Sequence, residues 1–149
     1  MNRREARKHA FVLIYQYPFH QPQTSESHAE LYDFYIDGLP EEGNFDKADE
    51  PYIKRVTEGA LARLDELDGV IARYLKDWEI ARINRIDLAI LRLGVYELRY
   101  EPEIPAGAAI NEAVELAKAY GADESAAFVN GVLGGVAREE TAVRGHADG

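Results

Sequence analysis

The stretch that most constrains the fold is residues 83–100, which contain no proline and one glycine and are rich in isoleucine and leucine. At about 100° per residue, a helix over this stretch carries two apolar arcs instead of one. One arc holds Ile83, Ile86, Ile90, Leu93 and Tyr100, and the other holds Leu88, Leu91, Val95 and Leu98. A helix that is apolar on two sides is packed from two sides, so this pattern predicts the central helix of an all-α domain.

Three arginines, Arg85, Arg92 and Arg99, form a thin basic stripe between these arcs. This much charge excludes a membrane-spanning helix. The N-terminus does not resemble a signal peptide either, because Glu5 and His9 interrupt the residues that would have to be apolar. We therefore expect a cytoplasmic protein with no membrane association, and the absence of cysteine fits a reducing compartment.

Helical spacing of apolar residues continues through most of the chain and predicts about seven helices and no β-sheet. The stripe that begins at Pro51 is long enough for two helices with a bend near residues 65–69, and it ends at Trp78, the expected core anchor. Asn130-Gly131 is typical of a hairpin, but its flanking spacing is helical, so Gly131 is expected to mark a close helix contact. We predict a single helical domain over residues 1–140 and a disordered tail over residues 141–149.

The net charge of −10 argues against nucleic-acid binding, but the charges are unevenly distributed. Residues 1–9 hold four basic side chains and one acidic one, whereas the rest of the chain holds 13 basic and 26 acidic ones. A basic tip on an acidic body has two interpretations. It is either an ordinary solvated helix start or a surface that attracts a polyanion.

The basic tip belongs to a predicted helix over residues 3–17 whose inner face is formed by small and apolar side chains. On the opposite arc lie Arg3, Arg4, Arg7 and Lys8, and Phe11 and Tyr15 project close to them. Cations beside aromatic rings suit single-stranded RNA, because cations contact phosphates while rings stack on unpaired bases. The alternative is that both rings belong to the core. The candidate RNA-binding residues are Arg3, Arg4, Arg7, Lys8 and Tyr15.

Nothing in the sequence forms a catalytic or metal-binding constellation. The histidines are scattered, at positions 9, 20, 28 and 146, and no glycine-rich phosphate loop is present. The acidic segment 40–50 is expected to be a solvated loop. Glu97 falls on an apolar arc, where we expect it to accept hydrogen bonds from the start of the following helix. We therefore predict no enzyme activity, no metal and no cofactor.

Several motifs resemble those of the transcription antitermination factor NusB family. One is the run from Ile104-Pro105 through Asn111-Glu112-Ala113 to Tyr120-Gly121, and another is Phe128-Val129-Asn130-Gly131. Shorter matches lie around Trp78, at Leu91-Arg92 and Tyr96-Glu97-Leu98, and at the N-terminus from Arg3 to Gln16. The resemblance extends from Arg3 to about Ala137.

This resemblance implies two small helical bundles that share the central helix. It also implies binding to boxA-type single-stranded RNA of ribosomal RNA transcripts together with NusE, a small-subunit ribosomal protein, within the transcription elongation complex. By position, Arg3, Arg4 and Arg7 match the arginine-rich RNA-binding start of the family, and Tyr15 matches its aromatic residue.

Three departures from the family pattern each remove positive or stacking surface: Glu5, Ala106-Gly107 and Ala126-Ala127. We therefore expect weak RNA binding by this chain alone. Two other interpretations stay open. One is a helical protein–protein adaptor whose acidic body docks on a basic partner, and the other is an RNA-binding domain related to that of ribosomal RNA methyltransferases.

Overall fold

A computed structural model describes residues 3–17, 25–39, 49–75 and 80–148. Within these ranges the chain forms helices and no strands, which confirms the predicted all-α class. The seven α-helices of this part of the chain are α1 (Arg3–Gln16), α2 (Ser25–Asp37), α3 (Glu50–Leu61), α4 (Leu64–Ala72), α5 (Arg85–Tyr100), α6 (Ala106–Tyr120) and α7 (Ser125–Asp148). Trp78 and most of the acidic loop lie outside the described residues.

The chain divides into two compact units, Met1–Leu64 and Asp65–Gly149. In the first unit α1 packs mainly against α3, and α2 packs against both. The predicted inner face of α1 is confirmed, because Ala6, Ala10, Leu13 and Tyr17 are fully buried. The single helical domain predicted for residues 1–140 stays a prediction.

The predicted stripe from Pro51 onward is divided into α3 and α4, as expected from its length. The break falls at Ala62 and Arg63, slightly earlier than the predicted bend. The Arg63 side chain donates a hydrogen bond to the carbonyl oxygen of Gly59 at 3.0 Å. A cationic side chain that caps the carbonyl end of a helix stabilises its termination there.

In the second unit, α5 packs against α6 and α7, and α6 packs against α7. Both predicted apolar arcs of α5 are buried in the middle of the helix, Ile90 and Leu93 on one arc and Leu91 and Val95 on the other, whereas Tyr100 at the end of the first arc is exposed. The helix begins two residues later than predicted, because the Asn84 side chain accepts a hydrogen bond from the Ile86 amide at 2.7 Å and caps it. The sharing of this helix between two bundles stays a prediction.

One local expectation in the second unit is wrong. Gly131 lies within α7 as predicted, but a side chain added there would meet nothing within 4 Å, so it marks no close contact. The close approach occurs instead at Gly94, where a Cβ atom would lie 2.6 Å from Leu133 Cδ1. The helix α7 extends to Asp148, and the disordered tail predicted for residues 141–149 stays a prediction. Alanines and an arginine in that stretch favour continued helix.

Glycine-to-alanine substitutions at these two positions should have opposite effects. Gly94→Ala forces a methyl group against the fully buried Leu133, so we expect a loss of about 1–3 kcal/mol of stability from overpacking. Gly131→Ala fills open space in an exposed helix interior and should stabilise the protein by up to ~1 kcal/mol. Denaturant unfolding of both variants and the parent chain measures the difference. Equal stabilities for the two variants would contradict the observed α5–α7 approach.

Candidate nucleic-acid interface

The predicted basic face is built on α1, but its members differ in exposure. Arg3 and Arg4 are exposed, and Lys8 is half-buried. Arg7 is 6% exposed, so its predicted place on the outward arc is wrong. The cause is the width of the buried arc: Phe11 and Ile14 are also buried, and Arg7 lies between them on the helix.

The two aromatic candidates on α1 also differ. Phe11 is buried, in agreement with the interpretation that places it in the core. Tyr15 is half-buried, and its ring centroid lies 6.4 Å from that of Phe11 at a tilt of 40°. A ring that is supported on one side and partly open on the other is able to stack on a base. Tyr15 therefore has the exposure that its predicted role requires.

The guanidinium carbon of Arg3 lies 4.1 Å from the centroid of the Tyr52 ring on α3. Arg3 shares the angular position of the buried Ala10 but belongs to the first turn of α1, so its side chain reaches α3 while remaining exposed. A contact with a ring face uses none of the guanidinium N–H groups as hydrogen-bond donors. Arg3 is thereby held in place with its donors available for a phosphate.

Two basic side chains of α3 also lie near aromatic rings of the first unit. The guanidinium carbon of Arg55 lies 6.0 Å from the Tyr52 ring centroid, and the ammonium of Lys54 lies 5.8 Å from that of Tyr32. Lys54 and Arg55 are exposed, whereas both tyrosines are buried. Sequence reasoning missed Tyr52, Lys54 and Arg55. The available signal was the run Tyr52-Ile53-Lys54-Arg55 at the start of a helix, but its proximity to Arg3 is a tertiary contact.

Two described histidines of the first unit, His9 and His28, favour the neutral form at pH 7 and so add little positive charge to this surface. His9 Nδ1 lies 2.6 Å from the Tyr35 hydroxyl, and burial, followed by the charge of Lys8, lowers the pKa of His9. Burial also lowers the pKa of His28, whose ring packs edge-on against Tyr17 at 4.3 Å between centroids. Both shifts favour the neutral imidazole at pH 7. In the part of the chain that the structure describes, no three histidine or acidic side chains cluster as metal ligands would.

Two arginines of the second unit are bonded to carboxylates and not to aromatic rings. Arg92 makes two hydrogen bonds to the carboxylate of Asp68, at 2.8 and 2.7 Å. Arg99 contacts Glu140 at 2.7 Å and Glu66 at 3.0 Å. These guanidinium groups are committed to carboxylates within the unit, so the stripe predicted on α5 is largely structural. Glu97 is buried as its position suggested, and its predicted hydrogen bonds to the following helix stay a prediction.

The contact between Arg3 and Tyr52 should be measurable as a coupling energy. Replacing Arg3 by Ala and Tyr52 by Leu, singly and together, should show an interaction of about 0.5–1 kcal/mol in the free energy of unfolding, as expected for an exposed cation–π pair. The matched control replaces Arg4 in the same cycle, and its coupling to Tyr52 should be smaller, because the guanidinium group 4.1 Å from the ring centroid is that of Arg3. The contact is absent in solution if the Arg3 and Arg4 cycles give the same value.

The match to known families covers most of the chain. A family model described as the NusB family matches residues 4–138. A transcription antitermination protein NusB from Acetivibrio thermocellus is 40% identical over 138 residues, which cover 93% of this chain and 90% of that protein. A second NusB, from Clostridium botulinum strain Loch Maree, is 39% identical over 139 residues, with 90% and 98% coverage.

Solved structures agree with the sequence matches. A T. maritima NusB has a TM-score of 0.79 and 34% identity, and the alignment covers 93% of this chain and 92% of that one. A structure of antitermination factors NusB and NusE in complex with dsRNA has a TM-score of 0.74 and 26% identity, with 92% and 96% coverage. Among the described residues, no helix combines the length and apolar character that crossing a membrane requires.

Proposed function

The chain belongs to the NusB family, and we propose that it acts as an RNA-binding transcription antitermination factor. The observation that carries this proposal is the pair of exposed arginines at the start of α1, one of them held on an aromatic ring, in a chain similar to NusB over most of its length. This function is one of binding, and it requires no catalytic residue, metal or cofactor from the chain.

The proposed ligand is boxA-type single-stranded RNA, bound together with NusE. NusE and dsRNA accompany NusB in one similar solved structure, which supports this pairing. NusE would supply further phosphate contacts, which the net charge of −10 makes valuable because the acidic body repels RNA at long range. We further propose that the chain works in the cytoplasm, within the transcription elongation complex.

Each predicted site residue has a proposed role that follows from its exposure. Arg3 and Arg4, which are exposed, and Lys8, which is half-buried, contact phosphates directly. Arg7 adds positive charge from beneath the surface. Tyr15 stacks on an unpaired base, because its ring is partly open and supported by Phe11.

The adaptor and methyltransferase-related alternatives are not favoured. An adaptor would bind its partner through the acidic surface and not through the basic end of α1. Removing the arginines of α1 would then leave partner binding unchanged. Relatives matched over nearly their whole length are themselves named NusB, which favours antitermination over a methyltransferase-related domain.

Salt titration of RNA binding separates phosphate contacts from base stacking. Each phosphate neutralised on a single strand contributes about −0.7 to the slope of log affinity against log salt. We expect Arg4→Ala to flatten the slope by about 0.7 because one contact is lost. Tyr15→Ala should leave the slope unchanged and cost about 1–3 kcal/mol, because stacking releases no counterions.

The measurement is a mobility-shift or anisotropy titration with a boxA-like RNA, with and without NusE, at several salt concentrations. Phe34→Ala, which removes an aromatic ring that is 82% exposed on α2, is the control for Tyr15. An Arg4 variant with the slope and affinity of the parent chain would place RNA elsewhere and favour the adaptor.

A further inference from the structure

The basic surface of the first unit does not end at α1. Lys54 and Arg55 project from the first two turns of α3, the helix against which α1 packs, and both are exposed. We propose that the RNA surface continues from the start of α1 onto α3, where Lys54 and Arg55 bind successive phosphates of the same strand. This inference rests on the proposed function and identifies further binding residues for it.

The ring of Tyr52 joins the two parts of this surface. The guanidinium carbons of Arg3 and Arg55 lie 4.1 and 6.0 Å from its centroid, so they are no more than about 10 Å apart. A single strand carries a phosphate at every nucleotide, so two cations this close can contact neighbouring phosphates. Because Tyr52 is buried while Arg3 and Arg55 are exposed, a ligand meets the two guanidinium groups and not the aromatic ring.

Lys54 extends the surface toward α2. Its ammonium lies 5.8 Å from the ring centroid of Tyr32, a buried residue whose hydroxyl donates a hydrogen bond to the Glu50 carbonyl oxygen at 3.3 Å. The ring is therefore fixed, and the contact with it leaves the three ammonium donors of Lys54 unused. The result is a cation positioned by the fold whose charged end remains accessible.

The pattern favours a nucleic-acid strand over an acidic protein. Arg3, Arg4, Lys54 and Arg55 are contributed by two packed helices, and the half-buried ring of Tyr15 lies further along α1, about three turns from Arg3 and Arg4. A flexible strand follows such a row of cations and places bases against a nearby ring. Glu5 and Glu50 lie at the starts of the same two helices and weaken the attraction of these cations for a distant anion. We therefore expect binding to depend on direct contact between the cations and phosphates.

The test removes both α3 cations from the full-length chain. In the Lys54→Ala, Arg55→Ala double variant, the slope of log affinity against log salt should flatten by about 1.4. When the salt concentration is lowered from 1 M to 0.1 M, the affinity of the parent chain should therefore rise roughly 25-fold more than that of the double variant. The exchange variant Lys54→Arg, Arg55→Lys should retain the slope of the parent chain, because it keeps both charges.

The matched control is Lys118→Ala, Arg138→Ala, which removes two exposed cations of the second unit and gives the same net charge. If the α3 double variant and this control have equal slopes, only overall charge matters and the extension onto α3 is wrong. Arg4→Ala separates this failure from failure of the proposed function. When Arg4→Ala weakens binding and the α3 variant does not, RNA binds at α1 alone. When neither variant changes binding, both proposals are wrong.

The α3 substitutions lie at exposed positions, so helicity by circular dichroism should match that of the parent chain. An acidic peptide of the same length as the RNA serves as the competing ligand. Binding of that peptide with equal affinity, and with equal sensitivity to the α3 substitutions, would identify the surface as a general polyanion or protein site and overturn the proposal.

Discussion

The packing of the second unit depends on neutralising two arginines that α5 carries between its apolar arcs. A helix buried on two sides brings any charge between them close to the core, where an unpaired charge is costly. The two-fold hydrogen bonding of Arg92 to Asp68 has the geometry in which guanidinium–carboxylate pairs are strongest. Arg99 bridges Glu66 of α4 and Glu140 of α7. The burial of α5 therefore fixes where carboxylates must lie on its neighbours.

The same residue type serves a different purpose in the first unit. Arg3 is held by the face of an aromatic ring instead of by a carboxylate, so its position is fixed without neutralising its charge. Arg55 lies near the same ring, and Lys54 near the ring of Tyr32. This difference supports the proposal that a chain with a net charge of −10 binds RNA at this end of the first unit.

The fold was largely predictable from sequence because apolar periodicity is a local property. The spacing of Ile90, Leu91, Leu93 and Val95 was sufficient to predict α5 and its burial on two arcs. The start of the helix was less predictable, because it depends on the side chain of Asn84. The prediction that Gly131 marks a close helix contact was wrong. The crossing of α5 and α7 decides which glycine meets a neighbouring helix, and that crossing cannot be read from local spacing.

The candidate site was only partly predictable. The charge split identified the start of α1, but the exposure of each arginine depends on how wide an arc α3 and α2 cover. Arg7 was assigned to the open face and is buried for that reason. Tyr52, Lys54 and Arg55 could not be joined to Arg3 from sequence, because the contact brings together residues from helices far apart along the chain.

The central claim is that RNA lies on a surface formed by α1 and the first turns of α3. Hydrogen–deuterium exchange of the full chain, with and without a boxA-like RNA and NusE, tests it most directly. We predict slower exchange on RNA addition in peptides covering residues 3–15 and 50–56, beyond any change that NusE alone produces. Unchanged exchange in both segments at saturating RNA would contradict the claim.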